Sequence, residues 1–397
     1  MTTLNDTPSS NRIHIGFFGK RNSGKSSLIN AFTNQDVSIV SEFAGTTTDN
    51  VNKPMEIHGI GPCVLIDTAG FDDEGELGSL RIEKTELAAE KTDIAVILFS
   101  GSDLKTEFKY YQYFKEKHTP VLCVVSRSDM IDYAQGLKSL INDQIHEEAI
   151  IVSINDADSL TRFKDALISK VPENYGVASI CGHLVGENDL VMLVMPQDIQ
   201  APQGRLILPQ VQVTRDLLDL KCLIISVTAD KFQEGLAKLK QPPKLIITDS
   251  QCFKMIYQQK PKASKLTSFS ILFADYKGDL NYYIRSAEAI EKLNENSKVL
   301  IAEACTHAPL AEDIGRVKIP RLLKQKVGPG LQVDLVAGND FPLDLSSYDL
   351  IIQCGACMFN AKYVMNRIER AKEQGIPMSN YGVVLAYLNG ILDKISV

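Results

Sequence analysis

Near its start the chain reads Gly19-Lys20-Arg21-Asn22-Ser23-Gly24-Lys25-Ser26, directly after an apolar run at 14–18 and directly before a helix-forming stretch from Lys25 to about Thr33. Gly-x4-Gly-Lys-Ser in that setting dictates much of what the chain can fold into. The loop must gather backbone N–H groups around an anion at a helix N-terminus, where the helix dipole favours negative charge. It therefore needs a buried strand on one side and a helix on the other, as in a doubly wound α/β sheet. Lys25 is expected to reach the β- and γ-phosphates and Ser26 to ligate magnesium, with Gly19, Asn22, Ser23, Gly24 and Ser27 around the same phosphates.

A second element agrees. Val64-Leu65-Ile66-Asp67-Thr68-Ala69-Gly70 is a buried strand that ends in Asp-x-x-Gly. Asp67 would hold magnesium through water, and the Gly70 amide would sense a γ-phosphate. Continuous apolar runs at 94–99 and 121–125 add strands of the parallel type, with helical stretches at 80–90 and 104–115 between them. This P-loop domain is expected over residues 12–174, closing at Val171-Pro172-Glu173-Asn174.

Pro172, Gly176, Gly182 and Gly186 then mark a linker. Residues 186–260 read as a small βαβαβ unit, with strands at 190–195, 222–226 and 244–248 and helices at 205–220 and 231–240. Three parallel strands leave two raw edges, so the unit either pairs with a copy of itself or packs on neighbours in the same chain. Residues 261–397 are α/β again, with strands at 268–273, 298–303, 332–336 and 350–353 and helices at 279–293, 360–374 and 383–394. The fold class is α/β in three domains: a P-loop nucleotide domain, a small parallel-sheet dimerisation domain and an α/β domain carrying a cysteine site.

That cysteine site is Cys305-Thr306-His307 together with Cys354-Gly355-Ala356-Cys357. Each segment follows a buried strand, and strand carboxyl ends in an open α/β sheet share one edge. The 48 residues between Cys305 and Cys354 therefore need not separate the thiols in space. Cys357 precedes a helix start, where the dipole favours thiolate. Three soft sulfurs suit an iron–sulfur cluster or zinc. His307 could close a zinc site. A 4Fe-4S cluster tolerates an exchangeable fourth ligand, for which His307, Glu303, Gln353 and a non-protein group are candidates. Of the other cysteines, Cys63, Cys123 and Cys222 lie in apolar runs as small hydrophobes, and Cys181 and Cys252 have no cysteine at ligand spacing.

A net charge of −7 offers no basic field to nucleic acid or anionic lipid. No apolar run reaches the ~20 residues that span a bilayer. Residues 1–11 lack the basic and apolar regions of a secretory signal, so a cytoplasmic location is expected, where eight cysteines do not form a disulfide set.

The first domain resembles the translation-factor-like GTPases of the Era and TrmE type. Gly45-Thr46-Thr47-Thr48-Asp49 looks like their first switch, and Thr47 aligns with the threonine that closes on magnesium and the γ-phosphate. Thr48 stands where close relatives carry arginine, so that contact is not carried over. Asn22 matches the P-loop asparagine of the potassium-activated members, which implies a potassium ion doing the work of an arginine finger. Phe71 replaces a water-orienting glutamine, and a phenyl ring cannot orient water, so hydrolysis of GTP to GDP is expected to be slow and helped by potassium or a partner. The guanine signature Asn-Lys-x-Asp appears as Ser126-Arg127-Ser128-Asp129. Asp129 can accept from the guanine N1 and amino groups, and Arg127 can stack its stem over the base. Ser126 is too short for the asparagine's usual bracing. Ser153, in Val152-Ser153-Ile154, takes the later backbone-reading position.

Over nearly its whole length the chain resembles one family, the FeFe-hydrogenase maturation GTPases. The match includes the middle run Ala201-Pro202-Gln203-Gly204-Arg205-Leu206-Ile207-Leu208-Pro209-Gln210 and the pattern Cys-x-His, a long gap, then His-Cys-x-x-Cys. Cys305, His307, Cys354 and Cys357 fit it, and Gln353 replaces the second histidine. An amide is a poor iron ligand, so a histidine at that position is not an essential ligand in this chain. The resemblance implies a homodimer or tetramer that binds GTP, Mg2+ and K+ and holds a 4Fe-4S cluster. It further implies a di-iron cargo bearing CO, cyanide and a dithiolate bridge, radical-SAM maturases as partners and the apo FeFe-hydrogenase as recipient. Two readings of other classes stay open: a redox-sensing GTPase acting on tRNA or ribosomes, and an electron-transfer enzyme. Acidity argues against the first, and the lack of a flavin or nicotinamide signature against the second.

Overall fold

The computed structural model describes residues 7–34, 38–39, 51–70, 76–126, 134–172, 175, 178–196, 206–304 and 313–396. Two compact units divide the chain, Met1–Gly176 and Val177–Val397.

In the first unit, strands β1 (Ile13–Gly19), β2 (Ser38–Ile39), β3 (Val51–Ile57), β4 (Gly61–Asp67), β5 (Ile94–Phe99), β6 (Val121–Val125) and β7 (Ile150–Ile151) form one sheet in the order β2-β3-β4-β1-β5-β6-β7. From β4 to β7 all neighbours are parallel, and β3 runs antiparallel to β4. The parallel strands β1, β5 and β6 are buried along their whole length, as continuous apolar runs require. β3 has no such run. Among the described residues its outer side is paired only at Met55 and Glu56, which leaves room for Pro54. Apolar side chains cover both faces of the sheet. Phe17, Phe32 and Phe163 lie on one side, and Phe18, Phe99 and Phe114 on the other. Phe32 and Phe163 meet edge to face with ring centroids 5.2 Å apart.

The second unit holds two parallel sheets. β8 (Leu190–Val194), β9 (Leu223–Val227), β10 (Leu245–Thr248) and β11 (Lys265–Ser268) are ordered β11-β10-β8-β9. β12 (Lys298–Glu303), β13 (Gln332–Ala337), β14 (Leu350–Gln353) and β15 (Met378–Asn380) are ordered β13-β12-β14-β15. Ranked along the chain, each sheet runs second, first, third, fourth, so each has one topological switch point between its first and third strands. The sequence shows no repeat, yet the topology is the same twice.

One expected strand is a helix. Residues 265–268 are the strand, and Phe269–Lys277 is helical, begun by Ser268, whose hydroxyl accepts from the Ile271 amide at 3.3 Å. β11 pairs with β10, so this sheet continues past residue 260, where the middle segment was expected to end. The misreading has a physical cause. The helix is buried on both sides and shows little amphipathic period. Phe269, Leu272 and Phe273 pack into the core of the first sheet of this unit, while Ile271 and Ala274 pack into that of the second. One helix is the shared wall of two sheets. No helix of the described residues is long and apolar enough to cross a membrane.

Phe163→Ala removes a ring that is wholly buried. It is expected to cost the first unit about 3–5 kcal/mol, read as a lower urea midpoint at an unchanged slope.

Candidate functional site

The phosphate loop joins β1 to helix Lys25–Thr33. Asn22 and Gly24 take left-handed φ values of 57° and 96°, a backbone pattern that turns successive amides toward one point. The cleft beside the loop has a volume of about 550 Å³ and is lined by Asn22, Ser23, Gly24, Lys25, Ser26, Ser27, Leu28, Ser126, Val152 and Ile154. Lys25 Nζ donates to the carbonyls of Gly19 and Lys20 at 2.9 and 2.8 Å, which holds its charge over the loop. Ser26 Oγ donates to Asp67 Oδ2 at 2.5 Å, and Asp67 Oδ1 is buried with no hydrogen-bond partner among the described residues. A hydroxyl in contact with a carboxylate that has an oxygen to spare is a hard oxygen set suited to magnesium. A Cβ on Gly70 would lie 2.5 Å from the Arg21 backbone nitrogen, so only glycine lets that segment pass the loop.

Ser126 overturns an expectation. Its Oγ donates to the Ser23 carbonyl at 2.6 Å, within the buried part of the fold. The end of β6 lies close enough to the loop for a short hydroxyl to brace it. Ser153 sits between Val152 and Ile154, with its amide donating to Ser159 Oγ at 3.0 Å. Lys20, a variable position of the motif with no chemistry of its own in the sequence, ties the loop to the segment after β5. Its Nζ donates to the Asp103 carbonyl and lies 3.6 Å from Asp103 Oδ2 and 3.9 Å from Glu107 Oε2. Thr47, Phe71, Arg127 and Asp129 lie outside the described residues.

In the second unit, β12 and β14 flank a switch point and pair Ala302 with Gln353. Cys354 follows directly, and its amide donates to the Ala302 carbonyl at 2.9 Å. Its Sγ accepts from the Ala304 amide at 3.0 Å and from the Ala356 amide at 3.4 Å. Ala304 is the residue before Cys305. Cys305 and His307 themselves lie outside the described residues. Amides aimed at sulfur favour the charged form of a thiol. Burial pushes the half-buried Cys357 thiol up, opposed by the charge of Lys277 and by the amides of Cys357 and Met358. The expected helix start follows: Asn360 caps Ala361–Glu373, its side chain accepting from the Tyr363 amide.

Lys277 enters this site from the end of helix Phe269–Lys277. Its Nζ donates to the carbonyls of Ala356, Cys357 and Phe359 at 3.2, 3.4 and 2.8 Å. Burial pulls its ammonium down to about 8, while negative charge on Cys357 and Cys354 opposes the fall. Asn380 holds the other end of the loop, donating to the Cys354 carbonyl at 3.3 Å. Nothing in the local sequence marks Lys277, because only the tertiary fold brings it to the cysteines. Glu303 is engaged elsewhere: Oε2 accepts from Arg316 Nε and Nη2 at 3.2 and 3.0 Å, and Oε1 from Tyr381 Oη at 3.4 Å. Gln353 is buried, and neither side-chain polar atom has a hydrogen-bond partner among the described residues. Those residues assemble no group of three or more His, Cys, Asp or Glu fit for a metal. Cys354 and Cys357, the first accepting two amides, on a loop held by a buried cation, fit a soft metal or an iron–sulfur group.

The first unit is a P-loop GTPase domain: residues 14–127 match the 50S ribosome-binding GTPase family. Residues 180–278 match the hydrogen maturase F dimerization domain, and residues 281–396 match the hydrogen maturase F tetramerization domain. These last two models take in more than half of the 397 residues, and the chain belongs to the hydrogen maturase F family. The tRNA modification GTPase MnmE of Endomicrobium trichonymphae is 36% identical over 124 residues, covering 30% of this chain and 27% of the relative. GTPase Der of Wolinella succinogenes is 39% identical over 102 residues, covering 25% and 21%. The chain thus spans less than a third of the length of either relative. A crystal structure of Era with MgGDPNP and a fragment of 16S ribosomal RNA aligns at 19% identity and a TM-score of 0.34, covering 55% of this chain and 92% of that one.

Ser126→Ala leaves the buried Ser23 carbonyl without its hydroxyl partner. GDP binding is expected to weaken about tenfold, or roughly 1.4 kcal/mol, by calorimetry; an unchanged affinity would mean the bond does not brace the loop. Gly70→Ala, which forces the Arg21 backbone aside, is expected to slow GTP turnover in a phosphate-release assay.

Proposed function

We propose that this protein is a GTP-hydrolysing scaffold of hydrogenase maturation. On this reading it holds a 4Fe-4S cluster, carries a di-iron precursor as cargo and delivers it to apo FeFe-hydrogenase. The observation that carries the reading is the Cys354 sulfur with its two amide donors, at the switch point of a sheet that the chain joins to a P-loop GTPase domain.

Cys305, Cys354 and Cys357 would hold the cluster, with His307 or a non-protein group completing it. Glu303 suits that role less, because its carboxylate is paired with Arg316. When bound, the cluster supplies an iron position whose ligand can exchange, which suits a cargo that must be held and then released. In the GTPase domain Lys25 and the loop amides hold the phosphates. Ser26, Thr47 and Asp67 hold magnesium, and Asn22 holds potassium. Gly70 senses the γ-phosphate, and Ser126, Arg127, Asp129 and Ser153 serve the guanine side. Slow, potassium-stimulated hydrolysis changes the docking or release of partners. Those partners are the radical-SAM maturases, the apo-hydrogenase and further copies of this chain, in the cytoplasm. The descriptions of the two matched domains, dimerization and tetramerization, support the last of these. The likeness to MnmE supports a second reading, a redox-sensing GTPase acting on tRNA, which salt-dependent RNA association would favour.

Anaerobic reconstitution with iron and sulfide, followed by EPR and transfer to apo-hydrogenase, tests the proposal. The wild type is expected to load and transfer, and Cys305→Ala, Cys354→Ala and Cys357→Ala to lose most of the signal. Lys25→Ala and Asp67→Ala are expected to load but to activate the hydrogenase poorly. A wild type that takes up no iron, or cysteine variants that lose nothing, would end the cluster reading. Undiminished activation by Lys25→Ala and Asp67→Ala would detach the nucleotide from maturation.

A further inference from the structure

We propose that Lys277 is a positioning residue of the cysteine site, clamping the loop from Cys354 to Cys357 and supplying a fixed positive charge beside the iron–sulfur group that the cysteines hold. The inference rests on the cluster reading above and adds a residue that no ligand pattern contains.

Lys277 carries a charge that has no local reason to be where it is. Lys277 is 3% exposed. Burying a cation is costly unless it is paired. Among the described residues its hydrogen bonds go to three carbonyls, and the Phe273 ring centroid lies 5.5 Å from Nζ. Carbonyls and a ring face supply dipoles and a quadrupole but no net negative charge. All three carbonyls belong to the segment 356–359, which contains Cys357 and follows Cys354. An uncompensated cation beneath two thiols is accounted for if its counter-charge arrives with the thiolates and the group they bind.

The same bonds set geometry. Ala356 has a φ of 48°, a left-handed value that an alanine holds only when its surroundings enforce it. Lys277 binds the carbonyls of Ala356 and Cys357, the two that flank the Cys357 α-carbon, so the ammonium fixes the turn that carries Cys357. Net charge near a cluster is one of the factors that set its reduction potential. A fixed positive charge favours the reduced, more negative state.

Geometry and charge can be separated. Lys277→Gln keeps amide donors for the carbonyls and removes the charge, whereas Lys277→Arg keeps the charge. Each full-length protein is reconstituted anaerobically with iron and sulfide, assayed for iron content and followed by EPR through a redox titration. Lys277→Gln is expected to titrate at a more negative potential by at least a tenfold change in the one-electron equilibrium, about 59 mV. Lys277→Arg is expected to titrate as the wild type does. If the wild type takes up no iron, the cluster reading falls and takes this inference with it. If the wild type loads and Lys277→Gln titrates with it, this inference alone is overturned. If Lys277→Gln does not fold, Lys277→Arg decides: a folded, loaded protein at the wild-type potential supports the assignment, and a folded one that loses iron or shifts tenfold overturns it.

Discussion

Strands that run the same way end on the same side, and in this protein the groups that matter collect where they end. The phosphate loop follows β1, Asp67 closes β4, Ser126 follows β6 and Ser153 lies just past β7. In the second unit Glu303 closes β12 and Cys354 follows β14. At such edges backbone amides are released from the ladder and helix N-termini begin, so donors are available for phosphate in one place and for sulfur in the other. The two sites share no residues and no chemistry. What they share is the exposed amide at the end of a buried strand.

The helix Phe269–Lys277 gives the second unit its continuity. Its apolar residues divide between the cores of two sheets, and its last residue supplies the ammonium under the cysteine loop. A middle sheet of three strands would lack the area for a core of its own. Here it gains a fourth strand from residues 265–268 and a wall shared with its neighbour. Substitutions at Phe269, Leu272 or Phe273 therefore bear on the first of these sheets and those at Ile271 or Ala274 on the second, and through Lys277 either bears on the cysteines.

How much could be read beforehand depended on how local the signal was. Gly19 to Ser26 and Asp67 to Gly70 are short runs whose chemistry is carried by neighbouring residues, and each lies where such runs place it. The buried parallel strands were legible for the same reason, as unbroken apolar runs. The polar strand β3, second from the sheet's edge, was not, since it lacks a continuous apolar run and is held by pairing with β4. Ser126 misled because its bracing depends on how far the end of β6 lies from the loop, and residue type alone carries no distance. Gln353 departs from the family pattern at a ligand position in the sequence itself, whereas the burial of its amide without partners among the described residues is set by the fold.

Residue order alone determined the chemistries on offer: a phosphate cradle, oxygen ligands for magnesium, and soft sulfurs in two separated segments. Those follow from covalent neighbours and need no fold to be recognised. Only the tertiary structure decided which distant groups serve them. Parallel pairing of β12 with β14 put the Ala304 amide on the Cys354 sulfur, and the shared helix carried Lys277 to the loop. The reason is that burial and pairing act between residues scores of positions apart, whereas a motif speaks only for its own few bonds.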